Sequence, residues 1–146
     1  MTHFRTPLLA TAVLTAAFVM VRPSAAQDLA VTFEGIKTPT GAIMVALFDS
    51  EAAFDGADGR PLRSVAIPAT GARVQTLFKD LPAGRYGIKS FHDVDGDGKM
   101  ATNPFGMPTE PFAFSNRATI MMGPPKWAAA AFSVDAPTTT HVMAID

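Results

Sequence analysis

The chain contains no cysteine. That excludes disulfides, cysteine nucleophiles, thiolate zinc sites, iron–sulfur clusters and haem attached through cysteine. Stability must come from a packed core, or from a core and an ion. Histidine is scarce as well: His3, His92 and His141 are the full set. His3 falls in a leader segment, so a histidine-rich zinc site is poorly supplied. Charge of one sign is also missing. Lys and Arg number 12 against 13 Asp and Glu, for a net charge of −1. With no basic stripe, nucleic acid and anionic membrane surfaces are disfavoured partners. No segment carries a sustained helical apolar period with capping residues. The best helical candidate, Lys126–Ala131, is a turn or two long. There is no Gly-x-Ser-x-Gly turn of the kind that presents a hydrolase serine, no internal repeat and no low-complexity tail.

What is there begins with a segment unlike the rest. A short basic start carries His3 and Arg5, and an apolar run extends from Pro7 to Val21. Ser24-Ala25-Ala26 then puts small residues at the −3 and −1 positions that signal peptidase requires. Residues 1–26 are therefore expected to be a cleavable secretory signal, with Gln27 the first mature residue. The rival is a retained membrane anchor, but the apolar run is about 15 residues, below the roughly 17–25 that cross a bilayer core. Cleavage leaves 146 − 26 = 120 residues, 27–146, as a single domain with 12 − 2 = 10 basic and 13 acidic residues. That length supports a core without staples. The expected compartment is periplasmic or extracellular, with no membrane span once the signal is removed.

The mature chain alternates short apolar runs with Gly and Pro punctuation. Leu29, Val31 and Phe33 alternate with Ala30, Thr32 and Glu34, the two-residue period of a half-buried strand. Ile43 to Phe48 is apolar on both faces, as in a central strand covered on both sides, and Pro39-Thr40-Gly41 turns between the two. Further strands are expected at 62–67, 74–78, 86–91, 112–114, 132–134 and 141–145. Seven or eight short strands predict an all-β fold, a β-sandwich or a small barrel, of which a single antiparallel β-sandwich is the expectation. The longest irregular stretch, 93–111, is expected to be an ordered loop with Phe105 and Met107 packed against the sandwich.

That loop opens with His92-Asp93-Val94-Asp95-Gly96-Asp97-Gly98-Lys99-Met100. Asp93, Asp95 and Asp97 are spaced two apart, so a curled chain brings their carboxylates to one point, where they repel unless a cation joins them. Calcium is the candidate cofactor, because it takes six to eight oxygens at flexible geometry. Gly98 stands where an EF-hand loop turns sharply, and Lys99 would offer its backbone carbonyl. The match then breaks: the ninth position is Ala101 and the twelfth is Pro104, so the closing glutamate is absent, and the preceding residues read as strand. Glu110 or Asn103 could fold back to complete the shell. Such a site would be weak, on the order of 10⁻⁴ to 10⁻³ M. The alternative is a plain turn, since Asp bonds nearby amides and Gly accepts positive φ.

Other groups invite competing readings. His92, Glu110 and Ser115 could serve a hydrolase, although nothing in their spacing builds a triad. Asp49, Glu51, Asp55 and Asp58 read as a solvated loop. Phe105, Met107, Phe112, Phe114 and Trp127 could line a ligand pocket, but core packing under the long loop is the simpler expectation.

The residues also carry a resemblance. Leu81-Pro82-Ala83-Gly84-Arg85-Tyr86-Gly87-Ile88 resembles the lead-in to a strand in prealbumin-like and carboxypeptidase-regulatory-like β-sandwiches. Adding Phe91-His92-Asp93, Asp95-Gly96-Asp97-Gly98-Lys99, Phe105-Gly106-Met107-Pro108, Glu110, Phe114-Ser115-Asn116 and Gly123-Pro124-Pro125 narrows it. The chain resembles the bacterial family called domain of unknown function 2141, over roughly Leu29 to Ile145. The resemblance implies an exported β-sandwich and brings no assigned activity. The family often has Asn where this chain has Asp95 and Asp97, and an Asp where it has Ala101. The expectation is a non-enzymatic binding or envelope-structural module that meets an envelope or extracellular ligand through its long loop.

Overall fold

The computed structural model describes residues 25–56 and 59–146. Nearly all of the expected signal segment, and Asp58, lie outside them. Eight strands are present: β1 (Gln27–Glu34), β2 (Ala42–Phe48), β3 (Arg63–Pro68), β4 (Arg73–Leu81), β5 (Gly84–Asp93), β6 (Phe112–Phe114), β7 (Phe132–Val134) and β8 (Thr138–Ala144). Two short helices, α1 (Glu51–Asp55) and α2 (Trp127–Ala130), and a 3₁₀ turn at Ser115–Arg117 complete the described residues. The strands form two sheets. One has the order β4-β1-β8; the other has β3-β2-β5-β6, with β7 pairing the first half of β5.

The alternation in β1 sets the packing. Leu29, Val31 and Phe33 are fully buried and meet Ile43, Val45 and Leu47 of β2, Ile88 of β5 and Met143 of β8 in one cluster between the sheets. Each such side chain contributes about 1.5–3 kcal/mol by leaving water. The fold is an all-β sandwich, but one pairing is not antiparallel: β8 runs parallel to β1, with Val31 opposite His141. Chain direction explains it. β4 is antiparallel to β1, β5 reverses after a two-residue turn, β7 is antiparallel to β5, and β8 reverses again. The chain therefore returns to the edge of β1 pointing the same way.

β2 is apolar on both faces, β5 adds Gly87 and Phe91 around the charged Lys89 on its outer side, and this outer face is covered only in part. Met44, Ala46 and Phe48 alternate with the core residues of β2 and so point away from the first sheet. Over one end of this outer face, Phe48, Phe54, Trp127, Ala130 and Ala131 form a second cluster. Phe54 meets Phe48 and Trp127 edge-on at centroid distances of 5.3 and 5.8 Å. Gly87 lets them approach β5, since a Cβ there would lie 3.0 Å from the Phe54 ring and 3.1 Å from Trp127. The acidic segment expected to be a solvated loop is thus, over Glu51–Asp55, a helix. Ser50 caps it by accepting from the Ala53 amide, and Asp55 Oδ1 ties it to α2 by accepting from the Trp127 amide at 2.8 Å.

Candidate functional site

β5 delivers Asp93 to the start of the long loop with 3% of its surface exposed. The preceding turn packs on its backbone. Gly41 has φ +67°, and a Cβ there would lie 1.9 Å from the Asp93 carbonyl oxygen, so only glycine fits. The Asp93 carboxylate then organises the next five residues of the chain. Its Oδ1 accepts from the amides of Gly96 (2.8 Å) and Asp97 (3.1 Å), and its Oδ2 from that of Gly98 (2.9 Å). Gly96 and Gly98 have φ of 76° and 77°, which aims successive amides inward at little steric cost. Asp95 Oδ1 accepts from the Asp97 amide, and Asp97 Oδ1 from the Lys99 amide at 2.7 Å.

The curl brings Asp93, Asp95 and Asp97 together. One carboxylate oxygen from each lies within 4.8 Å of the others, so the three could hold a metal ion, with Asp95 and Asp97 on the exposed side. Lys99 meets the triad through its amide rather than its charge. Glu110 takes a different place from the one expected of it. It is buried, and its Oε1 accepts from the Val94 amide and its Oε2 from the Ala101 amide, both at 2.9 Å. It latches the two ends of the 94–101 segment and is not among the converging acids. Asn103 is also spent locally: its Oδ1 accepts from the amides of Phe105 and Met107.

The residues considered for a hydrolase are each committed to backbone. His92, buried at the end of β5, donates from Nε2 to the Thr40 carbonyl at 2.7 Å. Ser115 is fully buried; its Oγ accepts from the Ile88 amide at 2.9 Å and donates to the Ala130 carbonyl at 2.6 Å. Among the described residues, no hydrogen bond links His92, Glu110 and Ser115 to one another.

The remaining part of the outer face of the second sheet is a groove of about 910 Å³. That volume falls within the ~300–1,000 Å³ of ligand sites. Met44, Ala46 and Phe91 form its floor, and Phe112 and Phe114 line one flank. Met100 and Met107 from the long loop and Ile120 and Met122 from the segment before α2 form its lips. Here the expectation for the aromatic and methionine residues splits. Trp127 is core and Phe112 and Phe114 line the groove, but Phe105 is 90% exposed and Met107 60% exposed. They do not pack under the loop.

Lys89 of β5 stands between the covered and the open parts of this face. It donates to the Phe54 carbonyl at 2.6 Å, and its ammonium lies 4.4 Å from the Phe54 ring and 5.1 Å from that of Phe48. Burial lowers its pKa; the Asp55 charge opposes that shift and Lys126 adds to it.

The groove is not apparent from strand periodicity, although two signals in the sequence point to it. β2 is apolar on a face that no second sheet covers. Three methionines, Met100, Met107 and Met122, sit in Gly- and Pro-rich loops where polar residues are the rule.

Residues 31–142 match the family model described as an uncharacterized protein conserved in bacteria, domain of unknown function 2141. The chain belongs to that family. The matched span begins within β1 and ends within β8, so it contains the whole acidic loop and the whole groove. No curated protein and no solved structure matches the chain. Among the described residues, no helix is long and apolar enough to cross a membrane.

Proposed function

We propose that this family member is an exported, non-enzymatic binding module whose ligand site is the apolar groove on the outer face of the β3-β2-β5-β6 sheet. The groove itself is the observation that carries the reading. A concave, mostly apolar site of this volume with a single charged group at its lining is the usual form of a small-molecule pocket. Its methionine lips suit such a role, because unbranched thioether side chains repack around different shapes. Export is supported by the composition of residues 1–26, and N-terminal sequencing of the protein recovered outside the cytoplasm should begin at Gln27. The binding test is a titration with the fluorescent apolar probe N-phenyl-1-naphthylamine. Ala66 lines the groove and is exposed, so Ala66→Trp should fill the site without disturbing the core. Loss of probe binding with an unchanged unfolding midpoint is the expected result. Equal binding by the variant would remove the groove from the reading.

The same module is proposed to take calcium at Asp93, Asp95 and Asp97. Support comes from the convergence of their oxygens and from the two exposed members, which leave room for waters to complete the shell. The loop that would hold the ion also supplies Met100 and Met107, so an ion there would stiffen one lip of the groove. At ten to a hundred times a millimolar or tenth-millimolar dissociation constant, calcium should add about 1.4–2.7 kcal/mol of stability. Thermal unfolding in about 10 mM calcium and in chelator measures this, and coincident midpoints would end the calcium reading.

A further inference from the structure

We infer that the groove takes a long-chain fatty acid, its tail running between the methionine lips and its carboxylate meeting Lys89. This rests on the groove being a binding site and deepens that reading.

Three features select the ligand. Lys89 is the single charged residue lining the groove. Its ammonium has three donors, and the Phe54 carbonyl takes one of them. Among the described residues no carboxylate lies within ion-pair distance of it. Burying this cation carries a desolvation cost that the Phe54 carbonyl and the two aromatic rings offset in part, and an anionic head group would offset the rest. The lowered pKa of Lys89 reports the same cost.

The second feature is direction. α1 and α2 cover the sheet on one side of Lys89, whereas Phe91, Met100 and Met107 line the open groove on the other. The groove spans four neighbouring strands, β3, β2, β5 and β6, roughly 14 Å at about 4.8 Å between strands. A charged head at the closed end and a long flexible tail toward the loop match that layout.

The third feature is what the groove cannot satisfy. Its floor is a sheet face, so its backbone groups are already paired within the sheet. Ser90 is spent on the Ala113 carbonyl. A bound peptide would leave its own amides and carbonyls without partners, at a cost for each. A hydrocarbon chain has none to satisfy.

The test is displacement of N-phenyl-1-naphthylamine from the purified protein by dodecanoate and by dodecanol, both kept monomeric. Dodecanoate should displace the probe at roughly tenfold lower concentration, the equivalent of one charge-assisted contact. Lys89→Arg should keep that preference, and Lys89→Met should abolish it while still binding the probe. Equal displacement by acid and alcohol in the unaltered protein overturns the inference, as does a preference that survives Lys89→Met. Failure of the probe and of both ligands to bind overturns instead the groove reading beneath it. Capture by phosphatidylglycerol vesicles that dodecanoate fails to reverse would also refute the commitment to a free fatty acid.

Discussion

Replacing Asp93 with asparagine changes one oxygen to an NH₂ group and removes a charge, with almost no change in size. Of the three amides that Asp93 holds, Gly96 and Asp97 bond to Oδ1 and Gly98 to Oδ2. The new NH₂ group has to face the Gly98 amide if Oδ1 keeps its two partners. One bond to a charged acceptor, about 1.5–3 kcal/mol, is then lost, and two others fall to the ~0.5–1.5 kcal/mol of neutral bonds. The Gly98 amide is on the exposed side and recovers some of this from water. The net loss expected is about 2–4 kcal/mol. At ~4 °C per kcal/mol for a domain of this size, the unfolding midpoint should fall by about 8–16 °C. The assay is thermal and urea unfolding of both proteins in chelator, so that no ion contributes, with amide exchange read at Gly96, Asp97 and Gly98. Those three amides should lose protection first. A loss under ~0.5 kcal/mol with unchanged protection would mean that the carboxylate does not organise the loop.

Other substitutions test other joints of the structure. Gly87→Ala forces a methyl group toward Phe54 and Trp127, at a cost of about 1–3 kcal/mol by urea unfolding; a neutral result would show that α1 and α2 rest loosely on the sheet. Ser115→Ala strands the buried Ile88 amide and Ala130 carbonyl, so a loss of about 1–3 kcal/mol is expected in the same measurement. No loss would leave Ser115 without its structural role. Burial lowers the pKa of His141 below its ordinary 6.5. The unfolded chain then binds that proton more readily, so stability falls as pH drops from 6.5 through the folded value. His141→Phe preserves the stack on Phe132, whose ring lies 4.0 Å away, and should flatten that limb of the stability curve. An unchanged limb assigns the titration elsewhere.

Much of the sandwich is legible in the sequence because strand burial writes a two-residue period into it. Leu29, Val31 and Phe33 announce one inward face, and the doubly apolar β2 announces two. The convergence of Asp93, Asp95 and Asp97 is legible from spacing and glycine placement. The parallel β8 is not, because direction depends on which sheet each strand joins. Helix α1 is hidden among acids, although Ser50 ahead of Glu51 is a capping signal and Phe54 is the residue that it buries. Charge alone makes Glu110 look like an ion ligand. Its actual partners are amides at positions 94 and 101, a relation that no local pattern encodes. The groove stays hidden because periodicity marks a face as apolar without saying whether another element covers it.

The acidic loop and the missing cysteine have a common explanation. In small cysteine-bearing domains a long loop is commonly stapled by disulfides. Here two buried carboxylates hold the segment from opposite ends. Asp93 gathers three amides from inside the curl, and Glu110 fastens the residues that flank it. Each anion is compensated by backbone dipoles, so the loop can be ordered before any ion arrives. This separates two roles that spacing alone merges. Asp93 is above all a structural group, while Asp95 and Asp97 are the exposed carboxylates with capacity to spare for a cation. It also ties the loop to the proposed binding role. The segment that Asp93 and Glu110 fix leads directly to Met100 and Met107, and a groove whose lip is held in place loses less conformational freedom when a ligand enters.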